Sequence, residues 1–358
     1  MEINKLLFVF KGKKVLVTGD TGFKGSWLSF WLNHIGADVM GYSLPPKEEL
    51  CAYNLLNLSK TIKHVDGDIR DLKHMKAEIQ KFSPEFIFHL AAQAIVRDSY
   101  DDPKYTYETN VIGSVNLLET IRETPSVRSV IYVTSDKCYK NKEWIWGYRE
   151  SDELGGHDPY SSSKACAELV FSSYFDSFFS KQISKIGIAS VRAGNVIGGG
   201  DFSKDRIVPD CIKSLKEKKS IMVRNPKATR PWQHVLEPLG GYLVLASNLY
   251  NAPSEFSGTS WNFGPNTSST KTVGDLAKAI IKRWGSGDIC TPQNIDQPHE
   301  AGLLQVNCDK AKLLIDWNPK WNFDKTIFET VDWYKFVVDG GNATEITNRQ
   351  IKEYTEEN

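Results

Sequence analysis

Lys14-Val15-Leu16-Val17-Thr18-Gly19-Asp20-Thr21-Gly22-Phe23-Lys24-Gly25-Ser26-Trp27-Leu28-Ser29-Phe30-Trp31-Leu32 passes from a short β-branched apolar segment, through three evenly spaced glycines, into a run of helical character. Lys14 to Thr18 reads as a buried strand and Ser26 to Leu32 as part of a helix. Strand, glycine turn and helix together are the context a dinucleotide site needs. Gly19 permits the tight turn, Gly22 lets the backbone approach a pyrophosphate, and Gly25 allows close packing of helix on strand. The helix N-terminus offers unpaired N–H groups and a positive dipole end to phosphates. The fold class expected is α/β, a Rossmann-type doubly wound parallel sheet.

The alternation continues downstream. Asp38 to Tyr42 reads as a second strand ending near an adenosine ribose, and Ser43 stands where an acidic residue would hold the ribose hydroxyls of NAD. No arginine replaces it to take an NADP phosphate, so NAD is the better reading, with Ser43 as a ribose contact and Lys47 as the residue that argues the other way. Asp68, in Val65 to Asp71, is either placed to meet an adenine amino group or sits in a solvated turn. Phe86 to Gln93 is an apolar run closing in Leu90, Ala91 and Ala92, whose small side chains let a flat cofactor approach the backbone. His89 within it reads as a core histidine. Thr106 to Arg122 reads as a long helix; Val130 to Thr134 and Ile186 to Val191 read as further strands.

The glycines between Arg192 and Asp201 mark an irregular loop where the alternation gives way. The expected organisation is therefore a dinucleotide-binding domain over 1–191, with part of 230–265 returning to it, and a smaller mixed α/β substrate domain over 192–358. The latter holds Arg206 and Arg230, and arginines facing a pocket suit bidentate phosphate contacts. Val273 to Trp284 reads as a helix, and Trp317, Trp321 and Trp333 as core. The polar end, Thr344 to Asn358, is expected to be loosely ordered.

Two polar stretches interrupt this scaffold. Ser135-Asp136-Lys137 follows a buried strand and should emerge at its carboxyl end, where open α/β sheets bind ligands. Tyr160 opens a helix after Asp158-Pro159, which puts Lys164 one turn along on the same face. A phenol of pKa about 10 is a poor base, but a neighbouring ammonium favours the phenolate, and a shift of about 3 units needs roughly 4 kcal/mol. Tyr100 and Lys104 share the spacing, but Pro103 between them argues against the helical geometry.

The 358 residues carry 44 basic and 44 acidic side chains, so nothing in the net charge calls for nucleic acid or a membrane surface as partner. The early apolar run Leu6 to Phe10 is too short for a signal core or membrane span, and a cytoplasmic protein is expected. Six scattered cysteines without a Cys-x-x-Cys indicate neither a zinc site nor a disulfide framework.

With these residues assembled, the sequence resembles the extended short-chain dehydrogenase/reductases that act on nucleotide sugars, and within them the CDP-glucose 4,6-dehydratase branch. The specific matches are Gly22-Phe23-Lys24-Gly25-Ser26-Trp27, Gly41-Tyr42-Ser43-Leu44-Pro45-Pro46, Thr134-Ser135-Asp136-Lys137-Cys138-Tyr139 and Arg230-Pro231-Trp232-Gln233-His234-Val235. The related dTDP-glucose dehydratases carry Thr-Asp-Glu after the strand, and here Lys137 replaces the glutamate. The resemblance implies bound NAD, contacted by Gly19, Thr21, Gly22, Phe23, Lys24, Gly25, Ser43, Asp68, Ile69, Leu90, Ala91, Ala92, Tyr160 and Lys164. It implies catalysis by Ser135, Asp136, Lys137, Tyr160 and Lys164, and contacts from Gln93, Ser135, Asn195, Arg206 and Arg230 to CDP-glucose. A homodimer or homotetramer through helices near 105–122 and 160–179 is expected. Another nucleotide-sugar 4,6-dehydratase, for dTDP-glucose or GDP-mannose, or a 4-epimerase remains open at this point. A non-catalytic NAD sensor would be expected to have lost Tyr160, Lys164, Asp136 or Lys137.

Overall fold

β1 (Lys14–Thr18) lies inside a seven-stranded sheet whose further strands are β2 (Asp38–Ser43), β3 (Lys63–Asp66), β4 (Phe86–His89), β5 (Ser129–Val133), β6 (Gly187–Arg192) and Ser260–Asn262. In this computed structural model, which describes residues 6–291 and 302–356, the order is Ser260–Asn262, β6, β5, β4, β1, β2, β3. All neighbours pair in parallel. The order reverses between β1 and β4, which opens a crevice at the carboxyl ends of those two strands. The α/β doubly wound fold expected from the glycine turn is the one found.

The central strands β1, β4 and β5 are apolar on both faces because both faces are covered. Along β1, Val15 and Val17 enter one core and Leu16 the other, the two-residue period of a strand. The first core takes Trp27 and Trp31 from the helix Phe23–Ile35; the second takes Ile79, Leu117, Ile121 and Phe171 from helices on the opposite side. The helix Phe23–Ile35 stops at Gly36, whose φ of +93° suits the left-handed C-cap. Trp27 Nε1 donates to the Gly199 carbonyl at 2.8 Å and ties this helix to the loop after β6.

The helix expected over 106–122 is continuous but not uniform. Pro103–Tyr107 runs into a π-helical turn, Glu108–Ile112, before Gly113–Arg122. The widened turn lets Asn110 point its amide inward, where Nδ2 donates to the Gln93 carbonyl at 3.0 Å and to Ser163 Oγ at 2.8 Å.

Beyond β6, Val196–Ile197 pairs with Gln233–His234, Thr229–Pro231 with Thr270–Thr272, and Ile221–Met222 with Ile289–Cys290. Helix Leu236–Asn251 crosses back to the main sheet, where Ser129 Oγ donates to the Ala246 carbonyl at 2.9 Å. Trp317, Trp321 and Trp333 are core residues, as expected.

The polar end does not follow its reading. Ala343–Glu356 is a helix, and Ala343, Ile346, Thr347, Gln350, Ile351 and Tyr354 are buried at helical spacing. Composition had hidden that periodicity. Trp333 Nε1 donates to Thr347 Oγ1 at 2.8 Å, so the helix is fastened to the core. Glu357 and Asn358, also in that expectation, lie outside the described residues.

Candidate active site

Phe23, Lys24, Ser135, Asp136, Lys137, Tyr160, Asn195, Arg206 and Arg230 all line one cavity of about 330 Å³ at the carboxyl edge of the sheet. Ser135 follows β5 in extended backbone and caps a tight 3-10 turn over Asp136–Cys138. Its hydroxyl accepts from the Lys137 N–H at 3.2 Å and donates to Asp136 Oδ1 at 3.0 Å. The Asp136 carboxylate lies against Gly194, and the Lys137 ammonium stands 6.0 Å from the Tyr160 ring centroid.

Tyr160 is set by the start of helix Pro159–Ser177. Asp158 caps it by accepting from the Ser161 N–H at 2.9 Å, and Pro159 fills the first position, where no N–H is needed. Burial pushes the Tyr160 phenol up to about 12; the hydrogen bond with Ser135 pulls it back and the Asp136 charge adds to the rise. Burial also brings the Lys164 ammonium down to about 8, with repulsion from Lys24 assisting and Glu168 opposing. Lys24 falls to about 8 for the same first reason, with Arg206 adding repulsion. The phenol is therefore no base until further positive charge arrives beside it.

The glycine turn is built for close approach. Gly19 has φ +76°, and a Cβ there would fall 2.7 Å from the Ala91 nitrogen. A Cβ on Gly25 would fall 2.0 Å from the Gly19 carbonyl oxygen, so helix and strand touch backbone to backbone. This cradle, with Gly22 as the extended N-cap, fits a dinucleotide diphosphate.

At the far end of the cradle the structure adds a residue the sequence reading missed. Ser43 Oγ donates to Asp20 Oδ1 at 2.9 Å, and Thr21 Oγ1 lies 2.9 Å from Ser43 Oγ. Asp20 is fully buried, with His64 Nδ1 at 2.7 Å from Oδ2, and Asp66 Oδ1 lies 3.0 Å from His64 Nε2. Burial works against the His64 imidazolium, but Asp20 and Asp66 outweigh it and raise its pKa. A carboxylate thus stands directly behind Ser43. Gly41 could have signalled it, since a Cβ there would fall 2.0 Å from Asp20 Oδ2.

Other expected cofactor contacts lie outside the cavity lining. Asp68 is clasped by Arg70, with Nη2 at 2.6 Å and Nε at 3.0 Å from Oδ2, and that guanidinium holds its pKa below the usual range. Ile69 is buried against Gly113, while Leu90, Ala91 and Ala92 follow β4 half-buried. His89 is the core histidine expected, with Nδ1 2.7 Å from Thr18 Oγ1. Gln93, expected at the substrate, is not brought to the cavity. Its Nε2 donates to the Ile95 carbonyl and to Thr106 Oγ1, both at 3.0 Å, and its Oε1 accepts from the Ile95 N–H. It shapes the turn after β4.

The substrate side is strongly charged. Arg206 pairs with Asp201 at 3.1 Å, and Arg230 Nη1 donates to the Thr229 carbonyl at 2.8 Å. Arg97 and Arg224, which the sequence did not single out, share Asp205 at 2.9 and 2.8 Å in the same wall. They come from segments far apart in the chain, and only folding unites them. Behind the site, Arg192 and Glu168 form a buried pair at 2.9 Å, and Glu168 also accepts from Thr134, the residue before Ser135.

The family model described as GDP-mannose 4,6 dehydratase matches residues 16–330. The chain is 45% identical over 348 residues, 96% of its length and 97% of the relative's, to the CDP-glucose 4,6-dehydratase of Salmonella typhimurium. It superposes on a dTDP-glucose 4,6-dehydratase of Streptomyces venezuelae, solved with NAD bound, with a TM-score of 0.78 and 20% identity, covering 92% of this chain and 99% of that one. The dTDP-glucose 4,6-dehydratase of Bacillus anthracis, solved in complex with NAD, gives 0.74 and 23%, covering 92% and 98%.

Proposed function

The chain belongs to the GDP-mannose 4,6 dehydratase family, and from that premise we propose that it is an NAD-dependent hydro-lyase converting CDP-glucose to CDP-4-dehydro-6-deoxy-glucose and water. The observation that carries this reading is the convergence of Ser135, Asp136, Lys137 and Tyr160 on one cavity at the carboxyl edge of the sheet. The 45% identity to a CDP-glucose 4,6-dehydratase supports the choice of nucleotide.

NAD, when bound, would supply a hydride acceptor for C4 of the glucose and, once reduced, a hydride donor for C6. Tyr160 takes the proton of the C4 hydroxyl, Ser135 holds that oxygen, and Lys164 stabilises the phenolate. Once C4 is a ketone, C5–H is acidic. Lys137 serves as the base that removes the C5 proton, and Asp136 as the acid that donates to the departing C6 hydroxyl. Lys137 then returns the proton to C5. A 4-epimerase needs Tyr160 but has no use for this acid and base.

Gly19 to Gly25, Ser43 with Asp20, and Leu90 to Ala92 would hold the cofactor, and Asn195, Arg206 and Arg230 the sugar nucleotide. We take residues 1–191 together with the segment returning to the sheet as the cofactor unit, and the remainder as the substrate unit. Two copies would pair through the helices near 105–122 and 160–179, where Ile112 and Leu169 are 52% and 60% exposed. Among the described residues no helix is long and apolar enough to cross a membrane, and all six cysteines are free, which suits a reducing cytoplasm.

The test is to offer CDP-glucose, dTDP-glucose, UDP-glucose and GDP-mannose separately to the purified protein with NAD. Loss of one water by mass and a 4-keto chromophore in alkali, with CDP-glucose preferred, is the expected result. An isomer of unchanged mass would replace the dehydratase reading with the epimerase one.

A further inference from the structure

Of the motif Arg230-Pro231-Trp232-Gln233-His234-Val235, only Arg230 has a part in the reaction proposed above. Gln233 is fully buried and does not line the cavity. Its amide turns to two backbone carbonyls: Nε2 donates to that of Gly194 at 3.1 Å and to that of Phe263 at 3.0 Å. Turned the other way, the amide would set its own oxygen against both, so the two acceptors fix its orientation. The Gln233 N–H takes the next carbonyl along, that of Asn195, at 3.3 Å, where Gln233–His234 pairs with Val196–Ile197.

The two carbonyls held by the side chain differ in how firmly they are fixed. Phe263 is an anchor: its N–H donates to the Arg192 carbonyl at 2.9 Å, and its buried ring stands edge-on to Tyr242 and Trp317 at 5.5 and 4.9 Å. Gly194 lies in the irregular loop after β6, beside Asn195, whose φ of +52° is a left-handed conformation that surrounding contacts must hold. One amide thus ties a loop to an anchor. That loop touches the acid of the reaction, since a Cβ on Gly194 would meet Oδ2 of Asp136 at 1.8 Å. The other oxygen, Oδ1, accepts from Ser135 at 3.0 Å. Each carboxylate oxygen is therefore set by one neighbour. Ser135 follows β5, and Tyr160 and Lys164 ride on helix Pro159–Ser177; among the described residues Gln233 makes no hydrogen bond to any of the three.

We propose that Gln233 is a positioning residue for the elimination: by fastening Gly194 to Phe263 it keeps backbone packed on Oδ2 of Asp136 and so holds the carboxyl group in place as the acid. Without the amide, two carbonyls of buried residues lose their donor, the loop shifts to find another, and Asp136 follows. Oxidation at C4, which uses Tyr160, Ser135 and Lys164, is left alone. The proposal rests on the function inferred in the preceding subsection.

The test compares the parent with Gln233→Met, which keeps the length of the side chain and removes both donors. With NAD and CDP-glucose, appearance of NADH in a single turnover reads the oxidation, and 4-keto product in the steady state reads the whole reaction. In Gln233→Met, kcat for water loss should fall about 10²-fold, the lower end of what a general acid supplies, while KM and the single-turnover rate stay within about threefold of the parent. In an Asp136→Asn background the same substitution should cost less than about threefold more, because it acts through a carboxyl group no longer there. Oxidation and elimination falling together, KM rising with kcat unchanged, or the full loss repeated in the Asp136→Asn background would each overturn the proposal. Should Gln233→Met not fold, Gln233→Glu takes its place under the same criteria, and failure of both to fold assigns the amide to the fold alone. A parent that makes no 4-keto product removes the dehydratase reading, and this inference with it; a parent that dehydrates, with the variant keeping its kcat, removes this inference alone.

Discussion

A Cβ on Gly194 would lie 1.8 Å from Oδ2 of Asp136. The carboxylate proposed to protonate the departing hydroxyl rests directly on backbone from the loop after β6, and the position admits no side chain. Gly194→Ala is therefore expected to displace Asp136 while leaving Tyr160 and Lys164 in place. Dehydration should fall about 10²- to 10⁴-fold, the usual worth of a general acid, while slow reduction of NAD by the sugar nucleotide persists. Absorbance at the NADH band together with product mass reads both halves. Equal loss of both would mean that the glycine supports the whole site and not this carboxylate in particular.

Asp136→Asn and Lys137→Met separate the elimination from the oxidation. Each removes one proton carrier and leaves Ser135 and Tyr160 intact. With CDP-glucose both should form the 4-keto sugar slowly and release little water, about 10²- to 10⁴-fold below the parent. Exchange of C5–H with deuterated solvent should vanish in Lys137→Met and survive in Asp136→Asn. If Lys137→Met exchanges C5–H at the parent's rate, another group is the base.

What was legible in the sequence was local. The glycine turn fixed β1 and its helix because tight turns, phosphate approach and helix packing each require a missing side chain at a set spacing. Ser135 to Lys137 stood out where an apolar run gives way to polar residues, and Tyr160 with Lys164 stood out as a four-residue spacing at a helix start marked by Asp158-Pro159. What could not be read depends on distant segments meeting: Asp20 behind Ser43, Gly194 beneath Asp136, Arg97 and Arg224 on one aspartate. Gln93 was given a substrate contact by the resemblance, and here its amide is held by the Ile95 backbone and Thr106. The terminal helix was missed because its polar residues outnumber the six that are buried.

Removing Arg192 should cost far more than its size suggests. Glu168 is nearly fully buried; burial would raise its pKa, but the charge and hydrogen bonds of Arg192, with those of Thr134 and Ser190, outweigh that and lower it. Arg192→Met leaves this carboxylate without its cation, which typically costs about 3–5 kcal/mol. The double variant Glu168→Leu with Arg192→Met should regain only part, because Ser190 and Ser260 both donate to Glu168 and would lose their acceptor. Urea unfolding of the three proteins measures it. A double variant as unstable as Arg192→Met alone would place the cost in lost packing.

Glu237 should make stability fall as pH rises toward neutrality. Its carboxyl is buried beneath the terminal helix, accepting from the Lys320 N–H at 3.0 Å, the Trp321 N–H at 2.6 Å and the Tyr354 hydroxyl at 3.1 Å. Burial pushes its pKa up to about 7, more than those hydrogen bonds pull it down. Below about 4.5, its ordinary value, folded and unfolded chains both hold the proton and nothing is lost. Between there and 7 the unfolded chain releases the proton while the folded one keeps it, so stability declines by up to about 1.4 kcal/mol per pH unit and then levels off. Glu237→Gln has no proton to release. The difference in urea midpoint between parent and variant should therefore change steadily from pH 5 to 7 and be constant above. A difference independent of pH over that range would mean that Glu237 is ionised in the folded protein and that the three donors, not burial, govern it.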